Sequence, residues 1–439
     1  NSLIMSQIST TFQKIFFVIP LSLALNLLCF NLTFASSPGD LDTSFNGTGI
    51  VTTSVSSSFF DGGFGLAIQP DNKIIVAGLT VNDFALVRYT SDGVLDTDFK
   101  STGVVTTSIG SRSGGYSLAL QQDGKIVVVG TASNSAFEQD IAVVRYNPDG
   151  TLDTDFKSTG VVTTHLNGHD IGRSVVIQND GRIVVAGYTY NEPDFIVLRY
   201  DTNGELDTNF NTTGIVSTSV GVSDIGYTVL IQNDNKIIVA GETDNQVAVL
   251  RYTPTGQLDT EFNGTGVVTT SIGSYSGSTA AVLQADDKVI VAGYASTNGS
   301  SRDFALARYN SNGSLDTTFG STGIITTRIS SNNDEIAAIT MQPNNKIVVV
   351  GGSNLGLTTG NFAIARYNPD GSLDTTFGNN GIITTTITDK KDKATGVKIQ
   401  TDGKIVVGGY ENEVRGSGNF AVVRYIGNFT TYLPIIMKQ

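Results

Sequence analysis

The residues best suited to metal chemistry lie in one short segment. His165 and His169, the only histidines, are close to Asp170, and imidazole with carboxylate is a common ligand set for transition metals. Asp170 belongs to a set that recurs eight residues before a repeated glutamine: Asp61, Asp170, Asp224, Asp334 and Asp392. The sequence predicts no cofactor; the alternatives are a transition metal held by the two histidines beside Asp170, and a calcium or another divalent cation held by a rim of the aspartates. A loop cap is favoured for the aspartates, because this side chain readily accepts hydrogen bonds from nearby backbone amides.

Tyrosine offers a second kind of chemistry, because its ring and its hydroxyl together suit contact with sugars and proteins. Outside the repeated Arg-Tyr pairs, most tyrosines fall near loops that vary between repeats. The predicted binding residues are Tyr116, Tyr188, Tyr190, Tyr227, Tyr275, Tyr294 and Tyr410. The alternative is that several of these tyrosines simply cap strand ends.

Signatures of common enzymes are missing from the sequence. The chain has no Gly-x-Ser-x-Gly motif, no phosphate-binding loop and no tryptophan, and its single cysteine is Cys29. An enzyme is therefore the second hypothesis, in the form of a metal-assisted hydrolase or lyase that uses Asp and His around a channel mouth.

The elements that must position these residues come from a repeat. Seven units of about 55 residues each contain a Leu-Asp dipeptide, a Lys/Arg-led run of β-branched residues and an Arg-Tyr pair, and such a period is typical of propellers and solenoids. The repeated arginines are Arg88, Arg145, Arg199, Arg251, Arg308, Arg366 and Arg424. The repeated aspartates that follow eight residues later are Asp96, Asp153, Asp207, Asp259, Asp316 and Asp374. We predict that they form buried structural ion pairs, because seven equal ligand sites are a poorer explanation of the repetition.

Each unit reads as four short antiparallel strands, A to D, separated by Asp-Gly and Pro-Asp-Gly turns. Strand A has a small residue four positions before its glutamine in every unit: Gly65, Ser117, Ser174, Thr228, Ala280, Ala338 and Gly396. Innermost strands that converge on an axis require small side chains, which favours a closed propeller. The sequence therefore predicts an all-β, seven-bladed β-propeller of four-stranded antiparallel blades.

The chain ends predict how the ring closes. The first unit is a lone strand D, residues 49–54, and the last unit stops after strand C, so the N-terminal strand should complete the seventh blade. The predicted blades are residues 62–108, 114–165, 171–219, 225–271, 277–328, 334–387 and 393–425, within a propeller domain of residues 36–430. A C-terminal tail, residues 426–439, departs from the repeat.

Residues 1–35 are predicted to be a signal peptide. Lys14 precedes an apolar stretch that ends at Phe30, and Thr33 and Ala35 lie where a signal peptidase requires small residues. The alternative is a retained membrane anchor, although the apolar stretch is shorter than the ~20 residues that span a bilayer. We expect a mature chain without a membrane span that is secreted, extracellular or at the cell surface, with the periplasm as an alternative.

The unit from Leu118 to Phe156 resembles the delta-60 repeat, in both its Gln-Gln-Asp-Gly-Lys run and its Arg-Tyr-Asn-Pro-Asp-Gly-Thr-Leu-Asp-Thr-Asp-Phe run. The resemblance covers nearly the whole mature chain and implies a secreted bacterial β-propeller of unknown function, with no assigned catalytic residue. More distantly, the layout is similar to the NHL and gluconolactonase-like propellers, in fold only.

Charge and loop variation together lead to a functional hypothesis. The formal net charge of −13 disfavours nucleic acid as a partner, because its phosphates need a cationic surface. Variation concentrates in the loops from strand D to strand A and from strand B to strand C, which emerge on one face, here called the loop face. Variable loops on a rigid scaffold commonly bind ligands. We therefore expect a protein- or glycan-binding or scaffolding module that acts through the loop face.

Overall fold

The computed structural model describes residues 36–428 except 57–59, 134–137, 167, 192, 298, 357–358 and 413–417. The chain forms two compact units, and the larger one, Ser37–Phe429, contains every strand that the structure describes. The smaller unit combines Asn1–Ser36 with Thr430–Gln439 and lies, apart from Ser36, outside the described residues. The predicted signal peptide and most of the predicted tail therefore also lie outside them.

The described strands make seven antiparallel sheets, each a blade of four strands. In chain order the strands are β1 (Ile50–Thr53), β2 (Asp61–Ile68), β3 (Ile74–Thr80), β4 (Asp83–Tyr89), β5 (Val104–Thr107), β6 (Arg112–Leu120), β7 (Ile126–Ser133), β8 (Asp140–Tyr146), β9 (Val161–Thr164), β10 (Asp170–Ile177), β11 (Ile183–Thr189), β12 (Phe195–Tyr200), β13 (Ile215–Thr218) and β14 (Asp224–Ile231). They continue with β15 (Ile237–Thr243), β16 (Gln246–Tyr252), β17 (Val267–Thr270), β18 (Tyr275–Leu283), β19 (Val289–Ser296), β20 (Asp303–Tyr309), β21 (Ile324–Thr327), β22 (Asn333–Met341), β23 (Ile347–Leu355), β24 (Asn361–Tyr367), β25 (Ile382–Thr385), β26 (Lys393–Ile399), β27 (Ile405–Asn412) and β28 (Gly418–Tyr425).

Blades 1 to 6 each use four consecutive strands, from β2–β5 to β22–β25, whereas blade 7 combines both ends of the chain. Its strand order is β26, β27, β28 and then β1, which pairs antiparallel with β28 from Ile50 opposite Val423 to Thr53 opposite Phe420. The predicted seven-bladed propeller, closed by the N-terminal strand, is confirmed. The closure covers the outer edge of β28 and gives blade 7 the same four strands as the other blades.

The middle strands of each blade are buried on both faces, because each blade packs between two others. Strand β7 is buried along its whole length, and residues of β3 and β7 share one hydrophobic cluster, Ile75 and Ala77 with Ile126 and Val128. β-Branched residues suit these strands, since they pack well on a pleated surface. Among the described residues no helix is long and apolar enough to cross a membrane.

The repeated arginines and aspartates meet in all seven blades. Arg145 Nε donates to Asp153 Oδ2 at 2.6 Å, its Nη1 donates to the Thr202 carbonyl of the next blade at 2.6 Å, and its guanidinium lies 4.4 Å from the centre of the Phe156 ring. Across the seven blades the Nε to Oδ2 distance is 2.6 to 2.8 Å, and the seventh pair joins Arg424 to Asp42. Each pair thus links strand C of one blade to the connection between strands C and D, and contacts a neighbouring blade.

Strand A is the innermost strand of every blade, and the small residues at its fourth position before the glutamine line a central cavity. Directly before that small residue, the pairing register between strands A and B shifts in all seven blades. Such a β-bulge leaves one residue unpaired and can redirect its side chain. The fold therefore places one unpaired residue from each blade against the cavity.

Candidate functional site

The central cavity has a volume of about 450 Å³ and is enclosed by the seven inner strands. This volume lies within the range of ordinary ligand pockets. Because strand A of each blade begins at the loop face, the bulges lie in the half of the cavity nearer that face, here called the mouth.

The bulged residues differ from blade to blade, in contrast to the repeated strands and arginine–aspartate pairs around them, here called the frame. In blade order they are Phe64, Tyr116, Arg173, Tyr227, Thr279, Ala337 and Thr395, and all seven line the cavity. A second variable position follows the glycine in strand B: Leu79, Thr131, Tyr188, Glu242, Tyr294, Gly352 and Tyr410. Sevenfold symmetry ends at these two positions, so specific recognition can reside there.

Three tyrosines surround Arg173, and together they form the tyrosine–arginine cluster. The guanidinium carbon lies 4.8 Å from the ring centre of Tyr116, 5.6 Å from that of Tyr188 and 5.7 Å from that of Tyr227. Arg173 also donates from Nη2 to the Tyr188 hydroxyl at 3.2 Å. These residues come from blades 2, 3 and 4, so the cluster exists only when the blades are assembled.

A second group, here called the charged network, comprises Glu242, Tyr275, Tyr294, Arg302, Glu335 and Lys393. Arg302 pairs with Glu335, donates to the Tyr275 hydroxyl at 2.9 Å and lies 4.4 Å from the ring centre of Tyr294. Tyr294 donates to Glu242, and Lys393 lies 3.3 Å from Glu335. Unlike Arg173, Arg302 therefore has a carboxylate partner.

Burial and charge change the acidity of this network. Burial raises the pKa of Glu242 above its usual range, and the hydrogen bond from Tyr294 offsets only part of the rise. Burial alone would also raise the pKa of Glu335, but Lys393 and Arg302 outweigh it and lower that pKa. Burial and the adjacent Glu242 raise the pKa of Tyr294, which keeps its hydroxyl protonated as a donor.

Aromatic rings extend the mouth around blades 7, 1 and 2. The ring centres of Phe64 and Tyr116 are 5.7 Å apart, and those of Phe64 and Tyr410 are 5.9 Å apart. Phe60 packs edge-on against Tyr410 at 5.1 Å. One side of the mouth is thus largely aromatic, while the side formed by blades 4 to 7 carries the charged network.

The structure brings six of the seven predicted tyrosines into these groups. Tyr116, Tyr227 and Tyr410 line the cavity, Tyr188 contacts Arg173, and Tyr275 and Tyr294 stack at 5.4 Å in the charged network. Tyr190 does not join them: its side chain is 65% exposed and faces His169, with ring centres 6.2 Å apart.

The predicted metal residues are distributed differently. His165 Nδ1 lies 2.8 Å from Asp140 Oδ1 and 3.9 Å from Asp170 Oδ2. Within the described residues, Asp140, His165 and Asp170 make the one cluster of three such side chains close enough to share an ion, and His169 is not part of it. Hydrogen bonding to Asp140 raises the pKa of His165, which favours the imidazolium rather than the neutral ring that a metal requires.

The five aspartates of the predicted cation rim are completely buried at the starts of their strands. Each accepts backbone hydrogen bonds from the loop before it, as in Val55 and Ser56 to Asp61, both at 2.7 Å, and Leu166 to Asp170 at 2.6 Å. Amides of Val220, Ser330 and Ile387 are bound in the same way by Asp224, Asp334 and Asp392 at 2.6 to 2.7 Å. This is the geometry of a loop cap. None of the five is among the described residues that line the central cavity.

Sequence reasoning missed the charged members of the mouth, namely Arg173, Glu242, Arg302, Glu335 and Lys393. A signal existed for Arg173: it lies five residues before the repeated glutamine, where the other units have Phe, Tyr, Thr or Ala. Glu242 similarly follows the repeated glycine of strand B. Comparing the units position by position at these two sites would have identified both residues.

Seven four-stranded blades around one cavity, with structural ion pairs repeated and cavity residues varied, define a seven-bladed β-propeller. The sequence matches the family described as a domain of unknown function (DUF5122) beta-propeller over residues 69–99, 121–156, 178–210, 232–262, 284–319, 342–377 and 400–425. These segments make up just over half of the chain, and the protein belongs to this family. The predicted membership of a propeller family of unknown function is confirmed.

Comparison with solved structures gives several matches at low sequence identity. Virginiamycin B lyase from Staphylococcus aureus is 14% identical, with a TM-score of 0.50 over 85% of this chain and 98% of that chain. A protein from Lactobacillus plantarum is 16% identical, with a TM-score of 0.47 over 82% and 97% of the two chains. An ulvan lyase of polysaccharide lyase family PL25 is 13% identical, with a TM-score of 0.49 over 86% and 96%. At this identity the likeness concerns the fold alone. No curated protein matches the sequence.

Proposed function

We propose that the protein is a secreted or cell-surface carbohydrate-binding propeller that holds its ligand at the mouth of the central cavity. The observation that carries the proposal is the tyrosine–arginine cluster, in which three blades direct aromatic rings and a guanidinium to one place. The secreted location rests on the predicted signal peptide.

Aromatic rings and polar donors together suit a sugar. A ring presents a flat apolar face to the C–H groups of a pyranose, while tyrosine hydroxyls and guanidinium N–H groups can bond the sugar hydroxyls. Tyr116, Tyr227 and Tyr410 line the cavity, so their rings are placed to meet a ligand that enters it. A protein partner is the competing occupant, and it would have to insert a narrow segment into a cavity of about 450 Å³.

The metal-assisted hydrolase or lyase is not proposed. Neither histidine, nor any of the five capped aspartates, is among the described residues that line the cavity. The acidic and basic groups that do gather at the mouth are engaged with one another, as Glu335 is with Arg302 and Lys393.

A glycan array that contains neutral and acidic oligosaccharides tests the proposal, followed by calorimetric titration of the glycans retained. We expect micromolar to millimolar binding that falls at least tenfold in Tyr116→Ala and Tyr227→Ala. Tyr190→Ala is the matched control, because this tyrosine is exposed and outside the cluster, and its binding should equal that of the wild type. Binding that survives both cluster substitutions, or an array without any retained glycan, would refute the proposal.

A further inference from the structure

The described residues that line the central cavity include three cations and no carboxylate. The cations are Arg173, Lys393 and Lys398, while the rest of the lining is aliphatic, aromatic, hydroxyl-bearing or glycine. The whole chain, in contrast, has a formal net charge of −13. A positively lined cavity in an acidic protein is a local departure that the repeat does not explain, and low-dielectric walls concentrate its field on whatever enters.

Arg173 differs from nearly every other arginine in the described part of the chain. The seven repeated arginines, Arg182 and Arg302 each pair with a carboxylate. Arg173 has no such ion pair among the described residues, and its buried Nε has no hydrogen-bond partner there. A buried guanidinium donor without a partner is under-satisfied, and a ligand in the cavity that this side chain lines can supply an acceptor.

The shape of the guanidinium restricts the missing partner. Its planar fork fits a carboxylate in a bidentate arrangement, and such charge-assisted pairs are the stronger hydrogen bonds. The three tyrosine rings hold the guanidinium in place, so part of its conformational entropy is lost before any ligand arrives.

From this we infer that the ligand is an acidic oligosaccharide, and that Arg173 binds the carboxylate of a uronic acid residue at the mouth of the cavity. The inference rests on the proposed carbohydrate-binding function and adds the charge and the subsite. Lys393 and Lys398 extend a field of the same sign along the cavity. Lys393 also pairs with Glu335, so Lys398 is the freer of the two lysines to attract a second acidic residue of the ligand.

The test compares three defined oligosaccharides by calorimetric titration. The probes are a tetramer of galacturonic acid, the same tetramer with its carboxylates reduced to alcohols, and a sulfated galactan tetramer. Wild-type protein should bind the galacturonate tetramer at least tenfold more tightly than its reduced form. Arg173→Gln should abolish that difference, whereas Arg173→Lys should retain part of it, because a lysine keeps the charge and loses the fork. Lys398→Gln should cost a smaller factor, about threefold.

Arg328→Gln is the matched control, since Arg328 lies exposed just after the outer strand β21 and outside the cavity lining, and it should bind as the wild type does. Unfolding midpoints of all variants check that the fold is intact. Equal binding of the acidic and reduced tetramers would overturn the uronate assignment and leave carbohydrate binding standing. Tighter binding of the sulfated tetramer would overturn the carboxylate assignment as well. If none of the three probes binds and the glycan array also retains nothing, carbohydrate binding itself fails.

Discussion

Arg145 and Arg173 are the same type of residue in two regions of the propeller, and their surroundings are opposite. Arg145 has a carboxylate, a backbone carbonyl and a phenylalanine ring, and the same arrangement recurs in every blade. Arg173 has three tyrosine rings and, within the described part of the chain, no carboxylate, and no other blade has an arginine at its bulge. The repeated arginine is paired with a carboxylate of its own blade, whereas the single one has a buried Nε without a partner among the described residues.

The difference teaches how a repeat protein separates stability from recognition. A contact that is repeated in all blades can stabilise the fold strongly, but it gives no ligand selectivity, because every blade offers the same group. A contact made once, where two or three different blades meet, has a direction and a composition. The ion pairs therefore belong to the frame, and the mouth is where a ligand can distinguish one blade from another.

The most severe break in the frame is removal of the strand that closes it. Deleting residues 36–55 would expose the edge of β28 and remove Asp42 from Arg424. We expect loss of cooperative thermal unfolding, followed by circular dichroism, together with aggregation. A chain that lacks only residues 1–35 keeps β1 and serves as the control; if the longer deletion melted like this control, the closure would not stabilise the ring.

The next largest effect is expected from substituting each of the two arginines and comparing the losses of stability. Arg145→Ala should destabilise the fold by roughly 3 to 5 kcal/mol, because Asp153 would remain buried with a weaker partner. Arg173→Gln should change the free energy of unfolding by less than about 1 kcal/mol, since no carboxylate is left without its partner. Chemical denaturation measures both values, and comparable losses in the two variants would contradict the division into frame and mouth.

The loss of stability at acid pH is a third test of the role of the repeated ion pairs in the frame. Burial alone would raise the pKa of Asp374, but Lys346, Thr376 and Arg366 outweigh it and lower the pKa to about 2. The pKa of an aspartate in the unfolded chain is about 3.9. Because the pKa in the folded protein is lower, the ionised carboxylate stabilises the fold fully above that pH, and this stability is lost as the pH falls through the folded pKa. Unfolding of the wild type should take up about one proton at Asp374 between about pH 4 and pH 2, and Asp374→Asn should remove this contribution from the slope of the unfolding free energy against pH. Denaturant titrations at several pH values measure this slope, and an unchanged slope would show that the pair does not control acid unfolding.

The smallest effect is expected at Tyr190, the predicted binding residue that the structure leaves apart from the mouth. Because its side chain is 65% exposed, Tyr190→Ala should alter stability by no more than about 0.5 kcal/mol and should leave glycan binding unchanged. Tyr188→Phe, which removes the hydroxyl that accepts from Arg173, should weaken binding severalfold by freeing the guanidinium. Similar binding losses in both variants would mean that the ligand contacts the outer loops as well as the cavity.

The frame could be predicted because the residue pattern that specifies it recurs in all seven units. The small residue before each glutamine, the eight-residue spacing from Arg145 to Asp153 and the lone first strand each indicated the same ring. The tyrosines were found by residue type, but the charged residues of the mouth were not. Arg173 lies on a β-bulge, which changes where a side chain points, and only a comparison of the units position by position marks it in the sequence. Arg302 and Glu335 come from different blades, and their meeting depends on the curvature of the ring. Asp140 and His165 meet because Ile141 pairs with Thr164 where β8 and β9 run side by side, a register that was not predicted.

The seam in blade 7 also determines where the chain can be cut and rejoined. The Gly39 amide donates to the Ile426 carbonyl at 2.7 Å, so the first and last segments of the ring lie side by side. A circular permutant that links these segments and opens instead between β5 and β6 would keep all seven sheets, with blade 7 then made of consecutive strands. In such a permutant the mouth would be unchanged while the order of synthesis of its blades would be different, which separates the assembly of the site from the connectivity of the chain.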